Sequence, residues 1–208
     1  MASYNPQIRA EIAQLAASMM AEDGIHDFAY AKKKAARQLG IDDNGALPTN
    51  AEIEAEIRIF HALYNADTQP ESLLELRKAA LETMQLFERF NPHLTGSVLD
   101  GTAGKYAQTD IHLFADSAKD VEMFLLNQHI PFENTEKTFR ISDKPSKDKK
   151  DKVRKTVPAF KLETDYGLIK LSVFDVDDMR VATKKTSDGS NATRADIGGV
   201  SALVGNVF

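Results

Sequence analysis

The hydrophobic period changes at Asn91-Pro92, and that switch constrains the fold more than any other feature of the chain. Before it, apolar residues recur at three- and four-residue spacing, the signature of helices with one buried stripe. After it come short β-branched or apolar runs separated by glycine-bearing loops, which read as strands. Helices followed by a strand-rich segment predict an α+β protein: a helical N-terminal domain, then a mixed β-sheet domain with flanking helices.

Within residues 1–91 the helix punctuation is explicit. Asn5-Pro6 places a cap before a proline whose missing N–H costs nothing at the first helical position, and Ile8, Ile12, Leu15 and Met19 follow on one face up to Gly24. A second helix is predicted from Asp27 to Leu39, ending at Gly40. Thr49 and Glu52 have the spacing of a capping box, opening a helix with Ile53, Ile57, Phe60 and Tyr64 inward. The longest helix begins at Pro70, carries Leu73, Leu76, Leu81, Met84 and Phe87, and stops before Pro92.

Residues 92–180 read as the α/β domain. HLTGSVL and QTDIHLFA are predicted strands joined by the loop DGTAGKYA. Ser117 and Asp120 are spaced as a capping box for a helix to about His129. PFENTE and TFRI are two further strand candidates, and VPAFKLET with GLIKLSVF forms a hairpin turning at Asp165-Tyr166-Gly167. Residues 181–208 form a polar tail with a short helix expected around Ala195 to Leu203.

Charge narrows the partners. The chain carries 26 basic and 31 acidic residues, a formal net charge of −5, so no overall basicity announces a nucleic acid. Residues 142–157 depart from this, with seven basic and three acidic side chains and almost nothing apolar. They are expected to form a solvated flexible loop, with a phosphate- or RNA-contacting arm as the alternative. With no cysteine, disulfides, thiolate zinc sites and cysteine nucleophiles are excluded. No apolar run is long enough to span a membrane and the first residues lack a signal pattern, so a cytoplasmic location is expected. There is no H-x-x-x-H pair, no G-x-S-x-G and no P-loop. Asp42-Asp43-Asn44-Gly45 is turn chemistry, Asp175-Val176-Asp177-Asp178 reads as an acidic turn, and the Lys32–Lys34 and Arg37 cluster as a solvated helix face.

The chemistry-bearing passage runs from Leu94-Thr95-Gly96-Ser97, through twelve residues, to Asp110-Ile111-His112-Leu113-Phe114. Strand alternation turns Asp110 and His112 to one face and Ile111 and Leu113 to the other. A glycine–serine corner lets a phosphate approach backbone N–H groups closely.

This spacing resembles the signature of the nucleotidyltransferase superfamily, the DNA polymerase beta-like fold. The helical first half is similar to a prefix of bacterial proteins that carry this domain. The resemblance spans about residues 92–176 and implies transfer of a nucleoside monophosphate from an NTP to a hydroxyl. It implies that Gly96 and Ser97 hold the triphosphate, that Asp110 holds Mg or Mn, and that Lys105 and Lys170 contact phosphate. His112 stands where the second metal-binding carboxylate belongs, as a substitute ligand or proton acceptor. Ser172 stands at the third position, with Asp175 three residues on as the other metal candidate. Magnesium prefers hard oxygen ligands, so these replacements make the motif degenerate. The alternative is a non-catalytic module binding a nucleotide, an RNA or a protein on the same fold.

Overall fold

The protein is described from a computed structural model that covers residues 6–41, 47–141, 154–181, 183 and 192–205. It is α+β, with helices first and a five-stranded mixed sheet after them. Among the described residues no helix is long and apolar enough to cross a membrane. The chain divides into two compact units. Described residues within Met1–Leu73 and Thr102–Ala107 make the first. Those within Leu74–Gly101, Gln108–Lys185 and Gly189–Phe208 make the second.

In the first unit α1 (Pro6–Glu22) lies against both α2 (Phe28–Gln38) and α3 (Asn50–Tyr64). Small residues allow that close approach: Ala13, Ala16 and Ala17 meet Ala31, Ala35 and Ala36 around Ile12, Ile53 and Ile57. The Thr49–Glu52 box forms as expected, Asp27 proves to be a cap and not the first helical residue, and the expected cap at Asn5 and turn at Asp42–Gly45 lie outside the described residues. Asp27 accepts from the Tyr30 N–H at 2.8 Å, and Thr49 and Glu52 form the reciprocal capping box. Arg9 of α1 forks onto both Glu52 carboxylate oxygens. That guanidinium, with the Thr49 donors, holds the Glu52 pKa at about 2. The lysine cluster is partly tied down: Lys32 donates to the Pro48 carbonyl and to Asn50 Oδ1, each at 2.7 Å. Ile53 and Ile57 are buried as expected, but Tyr64 is 72% exposed, and it is His61 that continues the buried stripe in the last turn of α3.

α4 (Gln69–Leu86) buries Leu76, Ala79, Ala80 and Met84, then gives way to a 3-10 turn at Glu88–Phe90. β1 is only His93–Thr95. The sequence HLTGSVL is therefore not one strand, because Gly96 takes φ +78°, ψ −157°, turns the chain and starts the short helix α5 (Ser97–Asp100). β2 (Thr109–Phe114) leads into α6 (Ala118–Asn127), where Ser117 caps by accepting from the Lys119 N–H rather than through a full box with Asp120. β3 (Glu133–Arg140) merges the two expected strands PFENTE and TFRI into one. β4 (Arg154–Thr164) begins three residues earlier than expected, so 154–157 of the supposed loop are strand and 142–153 lie outside the described residues. β5 (Gly167–Phe174) closes the hairpin, and α7 (Ile197–Gly205) is the tail helix.

The sheet order is β1-β2-β5-β4-β3. β2 and β5 are parallel and every other neighbouring pair is antiparallel. One face carries Ile111, Leu113, Ile169, Leu171 and Val173, all buried, and α6 contacts it at β5. The opposite face holds a second apolar cluster of Phe114, Val157 and Phe174, with Phe139 packed on it.

Candidate functional site

Register places the sequence candidates in one row. Thr95 pairs with Asp110 across β1 and β2, and Asp110 pairs with Lys170 across β2 and β5. His112 pairs with Ser172 in the same parallel ladder. Since side chains alternate, Asp110, His112, Lys170 and Ser172 share a face. Gly96 closes one side of it: a Cβ placed there would sit 3.5 Å from Asp110 Oδ2 and 3.8 Å from Asp110 Cβ. The glycine–serine corner and the aspartate are thus neighbours, and Ser97, half-buried, opens α5 beside them.

Three strand spacings separate β2 from β3, roughly 14 Å in a flat sheet. Nevertheless Lys137 of β3 reaches Asp110, its Nζ 2.7 Å from Oδ1, so the β4–β3 end of the sheet coils over this face. Gln108 Nε2 donates to the same oxygen at 2.9 Å. Lys161, opposite Lys170 in the ladder, pairs with Glu133 at 3.2 Å. Burial lowers the Lys170 pKa, with the nearby Lys137 ammonium adding to that and Asp110 opposing it. Lys137 and Lys170 thus lie around the Asp110 carboxylate beside Gly96, with the Lys161–Glu133 pair next along the ladder.

Phe139 comes over with Lys137. Its ring lies edge-on to the His112 imidazole at 5.0 Å, and Phe174 lies 4.7 Å away on another side. His112 is 1% exposed, and neither ring nitrogen has a hydrogen-bond partner. The Ser172 hydroxyl is equally buried and equally unpartnered. Burial drives the His112 pKa well below its ordinary value, and the positive charges of Arg194 and Lys137 and the neighbouring His93 push the same way.

Asp175, in the same unit, lies apart from this row. Asp175 follows Phe174, five residues along β5 from the partner of Asp110, or about 16 Å of strand. Its carboxylate pairs with Lys155 at 2.8 Å and caps the 3-10 turn Val176–Arg180, with Asp178 completing the box and also pairing with Lys155. Those pairings lower the Asp175 pKa and raise that of Lys155. Lys105 belongs to the first unit, exposed, with its ammonium 5.5 Å from the Tyr106 ring centre.

These residues do not fit Mg or Mn. The one carboxylate in the row is held by an ammonium, the imidazole is walled in by phenyl rings, and Asp175 is spent on Lys155. Among the described residues no group of three His, Asp or Glu side chains is placed to hold a metal ion. The residue that sequence reasoning missed is Lys137. Its only signal is alternation in β3, which sets Thr135, Lys137 and Phe139 on one side of a polar strand. No family model, no curated protein and no solved structure matches the chain.

Proposed function

We propose that the second unit is a non-catalytic module that binds a phosphate-bearing ligand, of nucleotide type, on the face formed by Gly96, Asp110, Lys137 and Lys170. The observation that carries this reading is the Lys137–Asp110 ion pair opposite Lys170. Where the resemblance to nucleotidyltransferases implies carboxylates gathering a cation, this chain gathers ammonium groups. Phosphate oxygens are strong acceptors for such groups, and Gly96 leaves room for a close approach. An anion arriving beside Lys170 offsets the burial that lowers its pKa.

Equilibrium binding of ATP and of inorganic triphosphate tests the reading. Binding is expected with or without EDTA, and Lys137→Gln with Lys170→Gln weakens it by about tenfold or more. Absence of binding at millimolar ligand, or binding that requires Mg, overturns it. So does transfer of label from any of the four NTPs that disappears in Asp110→Ala. Binding of RNA in preference to both small ligands would reassign the site to a polynucleotide.

A further inference from the structure

A hollow of about 380 Å³ lies elsewhere in the second unit, beyond the carboxyl ends of β2 and β5. These two strands are the parallel pair of the sheet, and the crevice outside the carboxyl ends of parallel neighbours is where open sheets hold ligands. Phe90 and Phe124 contribute an edge-to-face aromatic wall, their ring centres 5.5 Å apart. The Arg89 guanidinium lies over both rings, 5.1 Å from the Phe90 centre and 6.0 Å from the Phe124 centre. The side chain is exposed, and among the described residues nothing accepts a hydrogen bond from it. Asp116 and Asp120 line the same hollow, exposed and without a cation among the described residues. One basic and two acidic side chains thus share a hollow without pairing to one another. Met123 supplies an exposed apolar surface beside them.

We infer that this hollow binds a short zwitterion, an apolar amino acid or dipeptide, whose carboxylate meets Arg89, whose ammonium meets Asp116 and Asp120, and whose side chain rests on Met123 and Phe124. The charges explain why neither end alone suffices. A planar guanidinium fork matches a carboxylate in two parallel hydrogen bonds, and an ammonium has three donors to spread over two carboxylates. The volume is ample for a dipeptide and falls within the range of small-ligand pockets.

The test is calorimetric titration of the full chain with L-phenylalanine, alanyl-phenylalanine, phenylacetate and phenethylamine. The Met123 methyl resonance is followed in parallel as a reporter of place. At least one of the two zwitterions is expected to saturate the protein and shift Met123, while phenylacetate and phenethylamine bind about tenfold more weakly. Which zwitterion binds more tightly distinguishes the amino acid from the dipeptide. Arg89→Lys keeps the charge but loses the fork, and is expected to weaken the zwitterion about tenfold. Asp116→Asn with Asp120→Asn should bring phenylalanine down to the level of phenylacetate. Each substitution is conservative and exposed, and a urea midpoint confirms that the variants fold. No saturable binding by either zwitterion up to about 10 mM, equal affinity for the one-charge analogues, or indifference to the variants overturns the proposal.

Discussion

His112→Leu is expected to stabilise the protein, which is the reverse of what replacing a catalytic or ligand histidine would be chosen to show. The imidazole is 1% exposed, both nitrogens lack partners, and Phe139 and Phe174 form an apolar wall. A buried polar group left unsatisfied costs about 1–3 kcal/mol. Leucine is close in volume, so the shape mismatch subtracts less than about 1.5 kcal/mol. The net gain at pH 8 is therefore about 1 kcal/mol, or roughly 2–4 °C in Tm for a chain of this size. Acid enlarges it. The folded protein refuses a proton that the unfolded chain accepts below its ordinary pKa of about 6.5. Stability attached to this residue is thus complete above that pH and is lost as pH falls below it, by up to about 1.4 kcal/mol per pH unit. Arg194, Lys137 and His93 are the charged or titratable groups that hold the proton off. Urea unfolding of parent and variant at pH 8, 7, 6 and 5 measures both effects. A variant less stable at pH 8, or a gap that stays constant down to pH 5, would mean that the buried imidazole is satisfied in the folded protein.

Other expectations follow from the same geometry. The Asp110–Lys137 pair, with side chains 23% and 29% exposed, lies between surface and buried cases. A double-mutant cycle with Asp110→Asn and Lys137→Met should give a coupling of about 1–2 kcal/mol, and a value near zero would remove the pair from the account. Gly96→Ala should destabilise by about 1–3 kcal/mol from backbone strain alone, since the added methyl meets Asp110 only at ordinary contact distance. Thermal unfolding of that variant reads the loss directly. Thr49→Ala should remove about 1 kcal/mol from the first unit, seen as a lower urea midpoint with unchanged slope. Glu52 stabilises above its ordinary carboxylate pKa, and that contribution fades as pH falls toward about 2. Acid titration of Arg9→Met, in which the fade should be smaller, checks it.

What the sequence discloses is what is decided within a few residues. Thr49 and Ser117 cap helices because side chain and backbone meet inside one turn, so spacing alone locates them. Alternation likewise puts Asp110 and His112 on one face, because two steps along a strand return a side chain to the same side. Tyr64 shows where a period stops informing: apolar spacing named Tyr64 as inward, whereas the polar His61 of the same turn is the residue that is buried. Gly96 hides a corner inside what reads as a strand, since nothing local shows that its φ is positive. Lys137 and Phe139 are out of reach altogether. Both meet residues 27 positions earlier, across two intervening strands, and the coil of the sheet that brings them there is written in no short window.

Strand order also decides what an incomplete chain amounts to. Among the described strands β5 is made last, and it alone touches both β2 and β4. Until Phe174 has emerged, β1 with β2 and β3 with β4 are two separate ribbons, and a two-stranded ribbon is marginal by itself in water. A product ending before Gly167 would expose Ile111 and Leu113 with nothing to cover their open side. The eight residues Gly167–Phe174 therefore decide whether the four strands made before them join into one sheet.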